Sequence, residues 1–96
     1  MPLKQILRAL RHHEATVKAR YRVKELGLFG SFVRGEETAT SDVDILVDFD
    51  TSATLFDLVG LALYLEDALA CKVDVVPKRA LRPELRAAVL REVVLI

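Results

Sequence analysis

Residues 30–44 read Gly-Ser-Phe-Val-Arg-Gly-Glu-Glu-Thr-Ala-Thr-Ser-Asp-Val-Asp. An apolar run with Leu26, Leu28 and Phe29 leads into Gly30 and Ser31, and Asp42 follows eleven residues after Ser31, with Asp44 two further on. Glycine lets a phosphate come close to the backbone, and a helical turn after it offers N–H groups that have no partner within the turn. Ser31 adds a hydroxyl donor. A Gly-Ser pair alone is worth little, since many turns contain one. The same pair at the end of one strand and ahead of an Asp-x-Asp strand is far more specific. A phosphate cradle beside a seat for divalent metal points to nucleotide chemistry.

Side chains two residues apart on a strand share a face, with Cα atoms about 6.5–7 Å apart. Asp42 and Asp44 can therefore converge on a hard cation such as Mg²⁺, which prefers oxygen ligands and commonly keeps substrate phosphate in its coordination sphere. Asp74 is the natural third carboxylate. In Lys72-Val-Asp-Val-Val76, Val73 and Val75 face a core and Asp74 faces the other way. If that strand pairs beside residues 43–49, Asp74 joins the cluster. An acid in an otherwise valine strand is costly unless something binds it. Three converging carboxylates repel, so without metal the site should be destabilised or partly protonated. The competing view is that Asp42 merely ends a turn; Asp48, Asp50 and Glu66 read as solvated. The two halves also constrain topology. Phosphate would sit at the end of the first strand and metal near the start of the second, so these strands should run antiparallel in a mixed sheet.

The rest of the chain supplies the frame. Leu3, Ile6, Leu7, Leu10 and Val17 follow helical spacing and predict an amphipathic helix from residue 3 to about 19. Residues 22–29 read as a strand, 31–34 as a short helical turn stopped by Gly35, and 43–49 as a strand with one apolar face (Val43, Ile45, Val47, Phe49). Thr51–Thr54 supply a turn and a cap. Leu55, Leu58, Ala62, Leu65 and Leu69 then step by three and four along a second long helix, despite Gly60. Residues 72–76 form a short strand ended by Pro77, Pro83 opens a last helix, and Val93–Ile96 is either a short strand or a docked tail. The order α-β-α-β-α-β-α predicts one α/β domain, residues 1–96, with a mixed sheet flanked by helices.

Composition bounds the answer. Ninety-six residues, 52% apolar and 29% charged, suit one modest core. No apolar run approaches the ~20 residues of a membrane span, the N-terminus does not read as a secretory signal, and the lone Cys71 fits a reducing compartment, so a cytoplasmic location with no membrane contact is expected. Zero net charge hides segregation: residues 1–24 carry seven Lys/Arg against one Asp/Glu, residues 25–77 two against eleven, and residues 78–96 five against two. The acidic middle coincides with the proposed metal site. The basic flanks could attract polyphosphate or an acidic partner, or could simply be solvated helix faces. No basic stripe with stacking aromatics marks a nucleic-acid binder. His12 and His13 are adjacent and cannot form an i, i+4 metal pair, and Tyr21 and Tyr64 read as core-edge aromatics.

Gly30-Ser31, Arg34-Gly35, Ser41-Asp42-x-Asp44 and Asp74 together resemble the signature of the polymerase-β-like nucleotidyltransferase superfamily, in its minimal (MNT) form. The likeness runs from the leading helix through Leu-Phe-Asp-Leu to the closing Leu-Arg-Pro-Glu-Leu. It implies transfer of a nucleoside monophosphate from a triphosphate to a hydroxyl. Asp42, Asp44 and Asp74 would be catalytic and would hold two Mg²⁺, while Gly30, Ser31, Arg34 and Ser41 would line the nucleotide. Arg34 could instead pair with an acidic neighbour, and Ser41 could serve mainly to cap its turn. Proteins of this type resemble the antitoxin half of a pair with a HEPN-domain ribonuclease toxin. The resemblance implies AMP transfer from ATP to a tyrosine of that toxin, with no direct nucleic-acid contact and room for a homo- or hetero-oligomer. The alternative is an antitoxin that neutralises by binding alone, with nucleotide only a ligand. The tail 93–96 and any exposed part of the 55–69 helix would then be the contact surfaces.

Overall fold

The computed structural model describes residues 2–96. Helix α1 (Leu3–Tyr21) leads into strand β1 (Val23–Phe29), the one-turn helix α2 (Ser31–Arg34) and strand β2 (Val43–Phe49). Helix α3 (Leu55–Leu69), strand β3 (Val73–Pro77), a 3₁₀ turn at Lys78–Ala80, helix α4 (Pro83–Glu92) and strand β4 (Val94–Leu95) complete the chain. The four strands form one sheet in the order β3-β2-β1-β4. β2 runs antiparallel to β1 and parallel to β3, and β4 pairs antiparallel to β1. The sheet is thus mixed, as the position of the two half-sites demands. The closing apolar run forms a strand on the β1 edge, adding one element to the expected order.

The period-two pattern of β2 divides the sheet into a dry face and a wet face. Val43, Ile45 and Val47 are fully buried against α1 and α3, beside Leu26 and Leu28 of β1. From the helices, Ile6, Leu10 and Val17 of α1 and Leu61, Leu65 and Leu69 of α3 fill the same core. Asp44, Leu46 and Asp48 alternate onto the opposite face. This face is only partly covered, by α4 and the turn before it.

Two expectations for α3 change. Its buried stripe is Leu61, Leu65 and Leu69, while Leu55 is 72% exposed. Asp57 of that turn accepts the Thr54 N–H at 2.8 Å, which fixes the helix start. Gly60 also has a packing reason. A methyl group there would stand 2.8 Å from Cε1 of Tyr21, so the glycine lets the C-terminal end of α1 lie close against α3. Tyr64 sits on the same seam, its hydroxyl 2.7 Å from Nδ1 of half-buried His13. Pro77 ends β3 as expected, as its last residue and opposite Val47. Arg22 takes a left-handed conformation that ends α1, so β1 begins one residue later than expected.

Candidate active site

Three strand ends meet at the site. Phe29, the last residue of β1, is opposite Asp44 of β2, and Asp44 is in register with Asp74 of β3. Two backbone contacts set this register. The Val43 N–H donates to the Lys72 carbonyl at 3.0 Å, and Glu66 of α3 accepts the Val73 N–H at 3.3 Å, just ahead of Asp74. The second contact takes Glu66 out of the solvated class to which its sequence context assigned it. Asp42 immediately precedes β2 and is exposed, as is Asp74, while Asp44 is half-buried. Asp44 and Asp74 therefore stand side by side on neighbouring strands, Asp44 the more buried, with Asp42 one residue ahead of β2.

Asp44 feels both its burial and its acidic neighbours. Burial pushes its carboxyl above the ordinary carboxylate range, Asp74 and then Asp42 push it further, and Arg34 pulls weakly back. Among the described residues, no three acidic, His or Cys side chains come together closely enough to hold a metal ion as they stand. The donor set nonetheless suits Mg²⁺, a hard cation usually held by one or two carboxylates with phosphate and water completing its shell. A groove opens beside Asp44 and Asp74, walled by Phe29 and Val76 of the sheet and by Leu81, Arg82 and Leu85 around the start of α4.

The Gly-Ser corner abuts these carboxylates. Gly30 has φ +86° and ψ −155°, a conformation that only glycine adopts without strain. A methyl group there would overlap the Asp44 carboxylate. The glycine is required twice over, by its backbone angle and by its neighbour. The N–H groups of Val33 and Arg34 bond back to the Gly30 carbonyl, leaving those of Ser31 and Phe32, with the Ser31 hydroxyl, as the donors the corner can present. One helical turn carries little dipole, so anion binding here would rest on those donors.

Two expected nucleotide residues are engaged elsewhere. The Arg34 guanidinium donates to Glu36 at 2.6 Å and to both oxygens of Glu92 at 3.1 and 3.2 Å. Between acidic neighbour and phosphate, the structure shows the acidic neighbours. Ser41 accepts the Thr38 N–H on its hydroxyl at 2.8 Å and so closes the turn before Asp42. Sequence reading missed Glu92. Its carboxylate also accepts the Gly30 N–H at 3.2 Å, from sixty-two residues away, and no local pattern signals that contact.

A small mixed sheet with a glycine-serine corner against a carboxylate row is a minimal nucleotidyltransferase fold. A solved structure described as a candidate minimal nucleotidyltransferase is similar at a TM-score of 0.84 and 42% identity, over 98% of this chain and 95% of that one. The nucleotidyltransferase domain family matches residues 10–96. Protein adenylyltransferase MntA of Thermococcus cleftensis is 44% identical over 94 residues, 98% of this chain and 95% of that protein. A mutant of the toxin–antitoxin pair MntA–HpeT is similar at a TM-score of 0.66 and 26% identity, over 100% of this chain and 72% of that one. The chain belongs to the nucleotidyltransferase domain family, and it is an enzyme of that class.

Proposed function

We propose that this chain transfers AMP from ATP to a tyrosine hydroxyl of a HEPN-type ribonuclease toxin and so acts as its antitoxin. The observation that carries the reading is the register of Asp44 with Asp74, with Gly30 against Asp44. Donors for a triphosphate and carboxylates for Mg²⁺ then flank one point. Ser31, through its hydroxyl and N–H, holds the β- and γ-phosphates, and Asp42, Asp44 and Asp74 hold two Mg²⁺. Bound there, Mg²⁺ would supply neutralisation of triphosphate charge and a lowered pKa for the acceptor hydroxyl. The acceptor oxygen forms its bond to the α-phosphorus in line with the departing bridging oxygen. Its proton passes to the carboxylate cluster or solvent, and pyrophosphate leaves. The relative named a protein adenylyltransferase and the likeness to a toxin–antitoxin component support AMP and a protein acceptor.

The test is mass spectrometry of the co-expressed partner. Added AMP is expected with the wild type and none with Asp42→Ala or Asp44→Ala. Intact labelling by either variant would remove the catalytic assignment.

A second reading, neutralisation by binding alone, has a candidate contact surface. Leu55, Phe56, Val59 and Leu63 leave α3 with an apolar outer face, Phe56 being 89% exposed. Both readings use that face for the partner. They separate when a carboxylate variant at native expression is asked to rescue growth against the toxin: rescue favours binding alone.

A further inference from the structure

We infer that Glu92, the last residue of α4, is a positioning residue for the nucleotide: from the end of the chain it pins the Gly30 amide and Arg34, and so aims the Ser31 corner. The inference rests on the reading of that corner as the triphosphate site. Glu92 accepts the Gly30 N–H at 3.2 Å on the same oxygen that receives Nη1 of Arg34 at 3.1 Å, and its second oxygen is 3.2 Å from that nitrogen. Hydrogen bonds between charged partners are the stronger kind. The carboxylate lies on the inner side of the pair, its side chain 21% exposed against 48% for Arg34.

Two roles suit a carboxylate at such a corner, a brace that stays or an anion that a phosphate must evict. The geometry selects the brace. Glu92 uses the N–H of Gly30, before the corner, and leaves those of Ser31 and Phe32 and the Ser31 hydroxyl unclaimed. Its backbone is held from both sides. The Val93 N–H closes on Val89 at 3.0 Å, and Val94 and Leu95 pair with Leu28 and Gly27 of β1, next to the corner. Gly27 permits that approach, since a methyl there would meet Val93 at 2.6 Å. With φ at +86°, Gly30 has an unusually open range of alternatives, and the Glu92 contact selects one of them. Arg34, bound to Glu36 and Glu92 together, is then part of the brace and not a phosphate ligand.

Isothermal titration with MgATP of the wild type, Glu92→Gln and Glu92→Ala gives the first measure. Removing the charged acceptor should weaken binding about tenfold, the scale of one charge-assisted hydrogen bond, with KM for ATP rising and KM for the partner protein unchanged. Glu92→Asp should recover part of the loss. Unchanged or tighter MgATP binding in Glu92→Gln would overturn the inference. Wild type that binds no MgATP would overturn the triphosphate reading and this inference together. The amide spectrum of the wild type needs no variant to fold. Its Gly30 proton should exchange slowly for a residue beside an open groove, and its shift should stay in place on addition of MgATP. A Gly30 proton that moves upfield as nucleotide binds would mean that Glu92 leaves, and would overturn the brace.

Discussion

The two faces of β2 do opposite work with alternate residues of one strand. On the helix side, Val43, Ile45 and Val47 are fully buried within the apolar core. On the other side, Asp44 pairs with Asp74 and feels the charge of Asp42, with burial and like charge both raising its pKa. One face stabilises the fold; the other stores a charge conflict that a cation and a triphosphate can relieve. The dry face anchors β2, and its pairing with β3 keeps Asp44 beside Asp74.

Adjacent substitutions break that division most sharply. Asp44→Asn should lower AMP transfer at least about a thousandfold, roughly 4 kcal/mol of barrier, while the protein stays folded. Its neighbour Ile45→Ala should do the reverse. Loss of the buried side chain should cost about 2–5 kcal/mol of stability by denaturant titration, with the transfer rate of the folded fraction little changed. If Ile45→Ala abolished transfer in fully folded protein, the faces would not be separable. Gly30→Ala should straddle both. Placing alanine at positive φ should cost about 1–3 kcal/mol, and the displaced Asp44 carboxylate should lower transfer as well, both read on one purified sample.

That division was legible in the sequence because a strand's period of two needs no tertiary information. Val43 to Phe49 shows it directly, and an acid among valines did the same for Asp74. The antiparallel relation of β1 and β2 followed from where the two half-sites had to lie. Contacts made across the chain were not legible. Glu92 looks like any helix-surface glutamate until β4 brings the end of α4 to the Gly30 amide. Gly60 looks like a defect in α3 until Tyr21 is seen lying against it. The outward face of α3 was hidden for a different reason. Leu55 continues the three-four spacing of the buried leucines, and only tertiary packing decides that it stands in solvent.

The smallest effect gives the finest test, because it reads the stored conflict without any substrate. Asp44 is raised by burial first, then by Asp74 and Asp42 and more weakly by Glu92, and is lowered only by Arg34. A carboxyl whose folded pKa exceeds its unfolded value binds its proton more tightly in the native state. Its ionisation therefore subtracts stability as pH rises from the ordinary carboxylate value through the raised one, and the penalty is complete above that. Asparagine at this position carries no such penalty. At neutral pH and without divalent metal, Asp44→Asn should melt a few degrees above the wild type, and the gap should close as pH falls into the acid range. Mg²⁺ should close it from the other side, by raising the wild type more than the variant. A gap that stays constant from pH 7 to acid would mean that asparagine merely packs better there. The repulsion assigned to the wet face would then be absent, and with it the reason for the two faces to differ.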